Sequence, residues 1–506
     1  MRQRPLRGLA LFTVLSLAIA ACGGPGATTV PSTGAASVPA SQPAESEPAE
    51  SEPAESEPAE SEPAESEPAE SEPAESEPAP SGSAGAGLTG AMEVLAQYTE
   101  ADEIATTRYD IFTGENPDLQ VTFTESNFDA AAFLASVAAG NPPDVVRMDR
   151  AIIGTYVANG ALDPIDQCIT DRAIDMSQYR EAAVDAVTMG GAVYGIPEFY
   201  DSRIILVNDS VLEEVDLTVE DIDTSDWDAL TAVNDQLLAR EGDNITRIGF
   251  DPKIPEFLPL WAAANGSSLI SDDGLTSNLN DPAVAEALEY AASLVRAHGS
   301  ASDFLDFRGN GPGGVDFFGA QNQFVEDTLG AFPMEQWYLN VLAGASPEEG
   351  VSFAPFRDRQ GNEITFASGS AWVIPAAADN KEAACEFMRV ITLPDTWYAA
   401  AEVRATTRAA DGEPFTGTYT ANSVADERIF SELVTEESAG AYFEGVQLAL
   451  STADNAISLP PNAAAEEFTR IWQEAVQRVL AENVPAADAL ADAHQEAQQR
   501  LDAAQP

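Results

Sequence analysis

Apolar positions begin to repeat with secondary-structure periods only from Met92 onward. The short apolar run "MEVLAQY" (Met92 to Tyr98) predicts a strand. In the following "ADEIATTRYDIF", Ala105, Tyr109 and Phe112 recur at i, i+4 and i+7, one face of a helix, which Gly114 and Pro117 end. "LQVTFT" alternates Leu119, Val121 and Phe123, the period of a strand. A second helix runs through "DAAAFLASVAAG" with Gly140 as its C-terminal cap. Pro142 and Pro143, the apolar pair Val145–Val146, a third helix in "IIGTYVANG" and an edge segment "ALDPI" follow. This alternation over ~70 residues predicts a mostly parallel, doubly wound sheet. Further on, Asp281-Pro282 opens a helix with Val284, Leu288, Ala291 and Val295 on one face. "AWVIP" (Ala371 to Pro375) reads as a buried strand, "NKEAACEFMRVI" as an amphipathic helix, and the chain is helical from about Ala463.

Upstream of Met92 there is no such period. Arg2, Arg4 and Arg7 precede "GLALFTVLSLAIAA", an apolar run shorter than the ~18 residues a spanning helix needs. It ends in "IAAC" and then "GGPG", which resembles a bacterial lipobox. The resemblance implies a signal peptide over 1–21 and lipidation of Cys22; an ordinary secretory signal with a chance cysteine is the alternative. Glu-Ser-Glu-Pro-Ala then repeats seven times from Glu45 to Ala79. Proline at every fifth position blocks helix and strand, and like charges extend the chain. Residues 22–87 therefore form a linker with no core, spanning about 45 Å as a random coil and more once charge stretches it.

Composition adds three constraints. The chain has 506 residues with 44% hydrophobic content, a globular composition. Residues 88–506 exceed what one core usually supports, so two lobes are expected. The formal net charge is −60, of which the repeats carry only 14. So acidic a surface repels phosphate backbones and anionic headgroups, which argues against nucleic acid as a partner; solubility alone would also account for it. With Cys22, Cys168, Cys385, His298 and His494 as the only cysteines and histidines, no zinc-ligand spacing exists, and no metal or cofactor is expected. A Cys168–Cys385 disulfide is permitted outside the cytoplasm, but the sequence does not show that the two meet.

Five blocks in order carry a family resemblance: "AAGNPPDVVRMD" with "YVANGALDPID"; "VYGIPEFYDSRIILVND" (Val193 to Asp209); "LWAAANGSSLISDDG"; "LGAFPMEQW" (Leu329 to Trp337); and "GSAWVIPAAADNKEAACEFMRVI" (Gly369 to Ile391). Together they resemble extracellular solute-binding family 1, the maltose and multiple-sugar type binding proteins of ABC importers. The resemblance implies a two-lobed α/β fold of the periplasmic-binding-protein kind (class II type), each lobe a mostly parallel sheet flanked by helices, with hinge crossovers. Lobe 1 is expected at about 88–198 plus a returning segment near 350–390. Lobe 2 is expected at about 204–345 plus the C-terminal helices. The implied protein is an extracytoplasmic, lipid-anchored monomer that captures a mono- or oligosaccharide and hands it to ABC permease subunits. Met148 departs from the family, where many sugar binders carry an aromatic, and Phe332-Pro333 interrupts the usual strand.

A sugar site needs planar, charged or amide groups for paired hydrogen bonds and an aromatic platform. In open α/β sheets these lie at the carboxyl ends of strands. The candidates are Tyr98 and Glu100 after the first strand, Asn127 after the second, and Asp149 with Arg150 after the third. Tyr200, Asp201 and Arg203 lie in the crossover, Trp261, Asn265, Glu335 and Trp337 in the second lobe, and Ser370 on the returning strand. Asp149–Arg150 also reads as a surface ion pair, Trp261 as a core residue, and Asn127 as a cap of the helix near Phe128. Trp337, ending a strand, reads as a ligand contact.

The competing functions are a lipid-anchored glycoside hydrolase, a binder of a non-sugar solute such as a polyamine, and a stalked adhesin. No GxSxG, HExxH or Cys-His motif is present, and no motif marks a hydrolytic carboxylate pair. "GNGPGG" (Gly309 to Gly314) fits GxGxxG only formally and reads as a loop.

Overall fold

The computed structural model describes residues 87–96, 102–310, 319, 322–345 and 350–505. The expected signal peptide, Cys22, the repeat, Tyr98, Glu100 and most of "GNGPGG" lie outside them. Gly82–Pro506 forms one compact unit, and within it the described strands build two five-stranded sheets, a three-stranded sheet and a two-stranded one.

The first sheet has the order Leu119–Glu125, Gly90–Ala96, Val145–Asp149, Ser370–Val373, Gly195–Pro197. Its first three strands run parallel. Ser370–Val373 enters antiparallel to both neighbours. The predicted helices lie on its faces. Glu103–Glu115 starts at Asp102, whose carboxylate accepts from the Ile104 and Ala105 amides, and it buries Ala105, Tyr109 and Phe112 as the stripe requires. Ala130–Ala139 stops at Gly140, held at φ 73°, the left-handed conformation that favours glycine. Its N-cap is Asp129, not Asn127.

The second sheet has the order Val351–Ala354, Arg203–Asn208, Leu329–Glu335, Asn244–Phe250, Ala239–Glu241. Only Leu329–Glu335 with Asn244–Phe250 is parallel; the other pairings are antiparallel. Both sheets are thus more mixed than the mostly parallel ones expected, because the chain crosses between lobes and re-enters each sheet from the other end. Val351–Ala354 pairs with Arg203–Asn208, so the return to the first lobe begins near 366–370 rather than at 350. Pro333 is tolerated in its central strand because pairing with Asn244–Phe250 ends at Ala331, leaving no ladder bond on that side for the missing N–H. Pro282–Ala297 buries Val284, Leu288, Ala291 and Val295 against the C-terminal helices Ala465–Ala481 and Ala486–Ala504.

Among the described residues, three segments cross between the lobes side by side. Residues 198–202 bridge to Ser368 through Asp201 and to Thr420 through Phe199. Thr365 and Phe366 pair with Ala456 and Ile457 on the far side. Cys168 and Cys385 do form a disulfide, with Cα atoms 5.8 Å apart. It staples the helix Asp166–Asp171 to Lys381–Ile391 within the first lobe.

Candidate functional site

At the carboxyl ends of the first sheet's parallel strands lies a cavity of about 550 Å³. Asn127, following Leu119–Glu125, is on its wall together with Glu125, Ser126 and Phe199. Its floor is a charged cluster of which the candidate set contained only Ser370. Glu198 takes Arg108 at 2.9 Å, Arg147 at 2.5 Å, and the Ser370 hydroxyl at 2.9 Å. Burial pushes the Glu198 carboxyl up, but the two guanidiniums outweigh it and hold it below the usual carboxylate range. Arg108 also donates to the Ile104 carbonyl at 3.1 Å and the Ile391 carbonyl at 3.3 Å, and its guanidinium lies 3.8 Å from the Trp397 ring centre. A signal was present: Arg108 interrupts the apolar stripe Ile104, Ala105, Tyr109, Phe112, and Arg147 interrupts "VVRM". A charge inside a buried run needs a partner.

The crossing holds most of the expected residues. Asp149 is exposed and caps the following turn by accepting from the Ala151 amide at 2.9 Å; its strand position is opposite Ser370. It makes no ion pair with Arg150 among the described contacts, which removes that reading. Arg150 is instead buried, its guanidinium directed at main-chain carbonyls of the crossing. Tyr200 is buried too and donates its hydroxyl to the Ala453 carbonyl at 3.2 Å. Arg203 pairs with Glu335 at 3.0 Å. Asp201 lies between the two arginines; burial pushes its carboxyl up to about 6, with Arg203 and Arg150 opposing the rise and Glu335 adding to it.

From the second lobe, Trp337 follows the end of Leu329–Glu335. It is half-buried and meets Tyr338 edge-on at 6.0 Å. Gln336 beside it donates its amide N–H to the Ser202 carbonyl and its side chain to the Tyr200 carbonyl, which keeps this strand end at the crossing. Trp261 does not reach the site. It is 0% exposed, donates to the Pro252 carbonyl and packs on Phe250 and Phe356, which corrects its place in the candidate set to the lobe core. Asn265 is likewise engaged elsewhere, bonding the Ala283 carbonyl and Glu286 of the neighbouring helix. Met148 faces the interior of the first lobe at 1% exposure, so its departure from the family pattern falls in packing.

His298 is a core residue: its Nε2 accepts from the Gly249 amide at 2.9 Å while Nδ1 donates to the Leu294 carbonyl. Among the described residues no cluster of histidine, cysteine and carboxylate side chains could hold a metal ion.

Comparison with known proteins places this architecture. A maltooligosaccharide ABC transporter solute-binding lipoprotein of Streptococcus pneumoniae is 23% identical over 263 residues. That match spans 49% of this chain and 56% of the relative, so the chain spans little more than half the length of that curated relative. A lactose-binding protein of Rhizobium radiobacter is 23% identical over 301 residues, 56% of this chain and 66% of the relative. Among solved structures, an ABC transporter solute-binding protein from Thermotoga lettingae bound to alpha-D-tagatose superposes with a TM-score of 0.63 at 19% identity, covering 82% of this chain and 99% of the other. At that identity the likeness establishes the two-lobed fold. The family profile described as bacterial extracellular solute-binding protein matches residues 107–422. The match covers more than half of the chain, from within the first helix to Asn422, and this protein therefore belongs to the bacterial extracellular solute-binding protein family.

Proposed function

We propose that this protein captures a mono- or oligosaccharide outside the cytoplasmic membrane and delivers it to the permease of an ABC importer, held to the membrane through lipid on Cys22. The observation that carries the reading is the crossing: Glu198 and Phe199 at its first-lobe end line the polar cavity, Asp201, Arg203 and Glu335 gather at its second-lobe end, and Trp337 follows the strand that carries Glu335. Charged groups for paired hydrogen bonds beside an aromatic ring are what a polyhydroxylated ring with partly apolar faces requires. The sugars named for the relatives support the same class.

The solute contacts we assign are Tyr98, Glu100, Asn127, Asp149, Asp201, Arg203, Glu335 and Trp337. A thermal-shift screen against sugars and polyamines tests the class, since a solute at 100 times its dissociation constant adds about 2.7 kcal/mol of stability. Shifts with polyamines and none with sugars would overturn the carbohydrate reading. Cys22→Ser should release the protein into the soluble fraction with its solute affinity unchanged. Retention on membranes after a high-salt wash would refute the anchor.

One observation favours a hydrolase instead. Asp201, with its carboxyl raised to about 6 near Glu335, falls in the range of a general acid. Arg203 holds Glu335, however, and makes it a bound partner rather than a nucleophile. Incubation with maltotriose decides the matter: the sugar should be recovered intact, and shorter products would establish the enzyme.

A further inference from the structure

Arg150 and Arg203 sit on opposite sides of the crossing, one in each lobe, and each grips both of the segments that pass between Pro197 and Ser370. Arg150, at the start of the turn after Val145–Asp149, donates to the carbonyls of Phe199 on the outgoing segment and of Ser368 and Ser370 on the return. Its own amide donates to the Gly369 carbonyl at 3.0 Å. Gly369 has φ 135°, and a Cβ there would lie 2.2 Å from the Phe199 carbonyl oxygen and 2.8 Å from the Arg150 guanidinium. Only glycine lets the two segments and the arginine come this close.

Arg203 mirrors this arrangement from the second lobe. It donates to the carbonyl of Asp201 on the outgoing segment at 2.7 Å and of Phe366 on the return at 2.9 Å. Its main-chain N–H and carbonyl both bond the Thr365 hydroxyl, at 2.6 and 2.9 Å. The two grips are joined directly by the paired bonds of Asp201, held by Arg203, and Ser368, held by Arg150, both 3.0 Å. The first-lobe grip ends at Phe199 and Ser368, and the second-lobe grip begins at Asp201 and Phe366. One residue on each segment is left between them: Tyr200 and Ala367. The third segment fastens to those same two, through the Tyr200 hydroxyl on the Ala453 carbonyl and the Ala367 amide on the Ile457 carbonyl at 2.7 Å.

We propose that this arginine pair confines rotation of the lobes to Tyr200 and Ala367, and that Arg150 is a positioning residue that sets the resting angle of the lobes. The chemistry calls for arginine: a planar fork of five donors can satisfy three carbonyls on two segments at once, whereas a lysine ammonium is a point donor on a flexible stem. Rigid lobes turning about a few residues at element ends is a known mode of domain closure. Here the two grips determine which residues those are.

Hydrogen exchange by mass spectrometry on the full chain, with small-angle scattering of the sugar-free protein, tests the proposal. Arg150→Met should speed exchange in residues 198–201 and 368–370 at least tenfold and change the radius of gyration, while the strands Gly90–Ala96 and Arg203–Asn208 keep their protection. Arg150→Lys should restore part of the protection. Gly369→Ala, which keeps the arginine, should reproduce the exchange pattern by forcing the grip apart. A uniform rise across both sheets would show a merely stabilising arginine and overturn the proposal, as would unchanged exchange in Arg150→Met and Gly369→Ala. Arg150→Lys that leaves exchange and scattering unaltered but abolishes sugar-induced thermal shifts would make Arg150 a solute contact, and would equally overturn it.

Discussion

Two charged clusters built from the same residue types behave in opposite ways. Under the first-lobe cavity, two arginines, Arg108 and Arg147, share one carboxylate, Glu198. At the crossing, Arg203 pairs with Glu335, and Asp201, near both Arg203 and Arg150, makes no direct ion pair with either among the described residues. The excess of cation holds the Glu198 proton affinity down, while burial and a neighbouring carboxylate push Asp201 up to about 6. The first cluster is locked in one charge state and holds a lobe together. The second titrates near neutrality, at the place where we put the solute. Direct ion pairing of the carboxylate, rather than the mere presence of arginines nearby, separates a structural cluster from a responsive one.

The largest effect should come from breaking the locked cluster. Glu198→Ala leaves two buried guanidiniums without their anion, and removal of one partner of a buried pair costs about 3–5 kcal/mol. Urea unfolding measures it, and a loss under 1 kcal/mol would mean that the cluster holds nothing together. Within it the two arginines should differ. Arg108 is 2% exposed and bonded to two carbonyls as well, whereas the Arg147 side chain is 24% exposed. Arg108→Met should therefore cost about 3 kcal/mol and Arg147→Met clearly less. Equal losses would show that burial does not order them.

The two clusters should also leave opposite marks on the pH profile. Glu198 is depressed from 4.5, so its stabilisation is complete above about pH 4.5 and is lost as pH falls through its lower folded value. Asp201 is raised from 3.8 to about 6, and so is Asp426, which burial pushes up against the pull of Arg180. For these two the folded protein holds the proton more tightly than the unfolded chain, so their stabilisation is present at the acid end and declines as pH rises through about 6. The decline runs from 3.8 to about 6, so these three groups together should place the maximum at the acid end of that span, near the unfolded values of 3.8 and 4.5. Asp201→Asn should flatten the alkaline side by about 1–2 kcal/mol, allowing for its partial exposure, with Asp426→Asn removing the remainder. An unchanged slope in Asp201→Asn would remove the contrast.

The smallest effect distinguishes holding from reading. Trp337→Ala should weaken sugar binding about tenfold, about 1.4 kcal/mol, with little change in the unliganded melting temperature, as measured by calorimetric titration. Trp261→Ala should do the reverse and cost about 3–5 kcal/mol of stability. Equal affinity in Trp337→Ala would move the solute away from the crossing.

Much of the fold could be read from local pattern. The stripe Ala105, Tyr109, Phe112, the alternation in Leu119–Glu125 and the glycine stop at Gly140 all depend on neighbours within about four positions, and each formed as expected. The order of family blocks was enough to expect two lobes and a crossing. The candidate site was legible only where a residue's surroundings are local. Asn127 and Trp337 lie at strand ends, and strand ends are visible in the pattern. Trp261 stayed open between core and cleft because an apolar helix shows equally whether its tryptophan turns inward or toward a cleft, and the structure puts it in the core.

What the sequence by itself determined is the set of pieces: which segments are helix or strand, where they stop, that residues 22–87 lack the apolar content for a core, and that the folded part carries net negative charge. Propensity, capping and apolar period act over a few residues and survive any rearrangement of distant parts. Only the tertiary structure decided which charge meets which. Arg108 finds Glu198 90 positions away, Arg150 finds Ser370 220 away, and Cys168 finds Cys385 217 away. Those meetings turned Arg150 from an expected solute contact into a clamp, locked Glu198 and left Asp201 titratable. The reason is that charge pairing and desolvation depend on distance and burial in space, and neither is a property of any short stretch of chain.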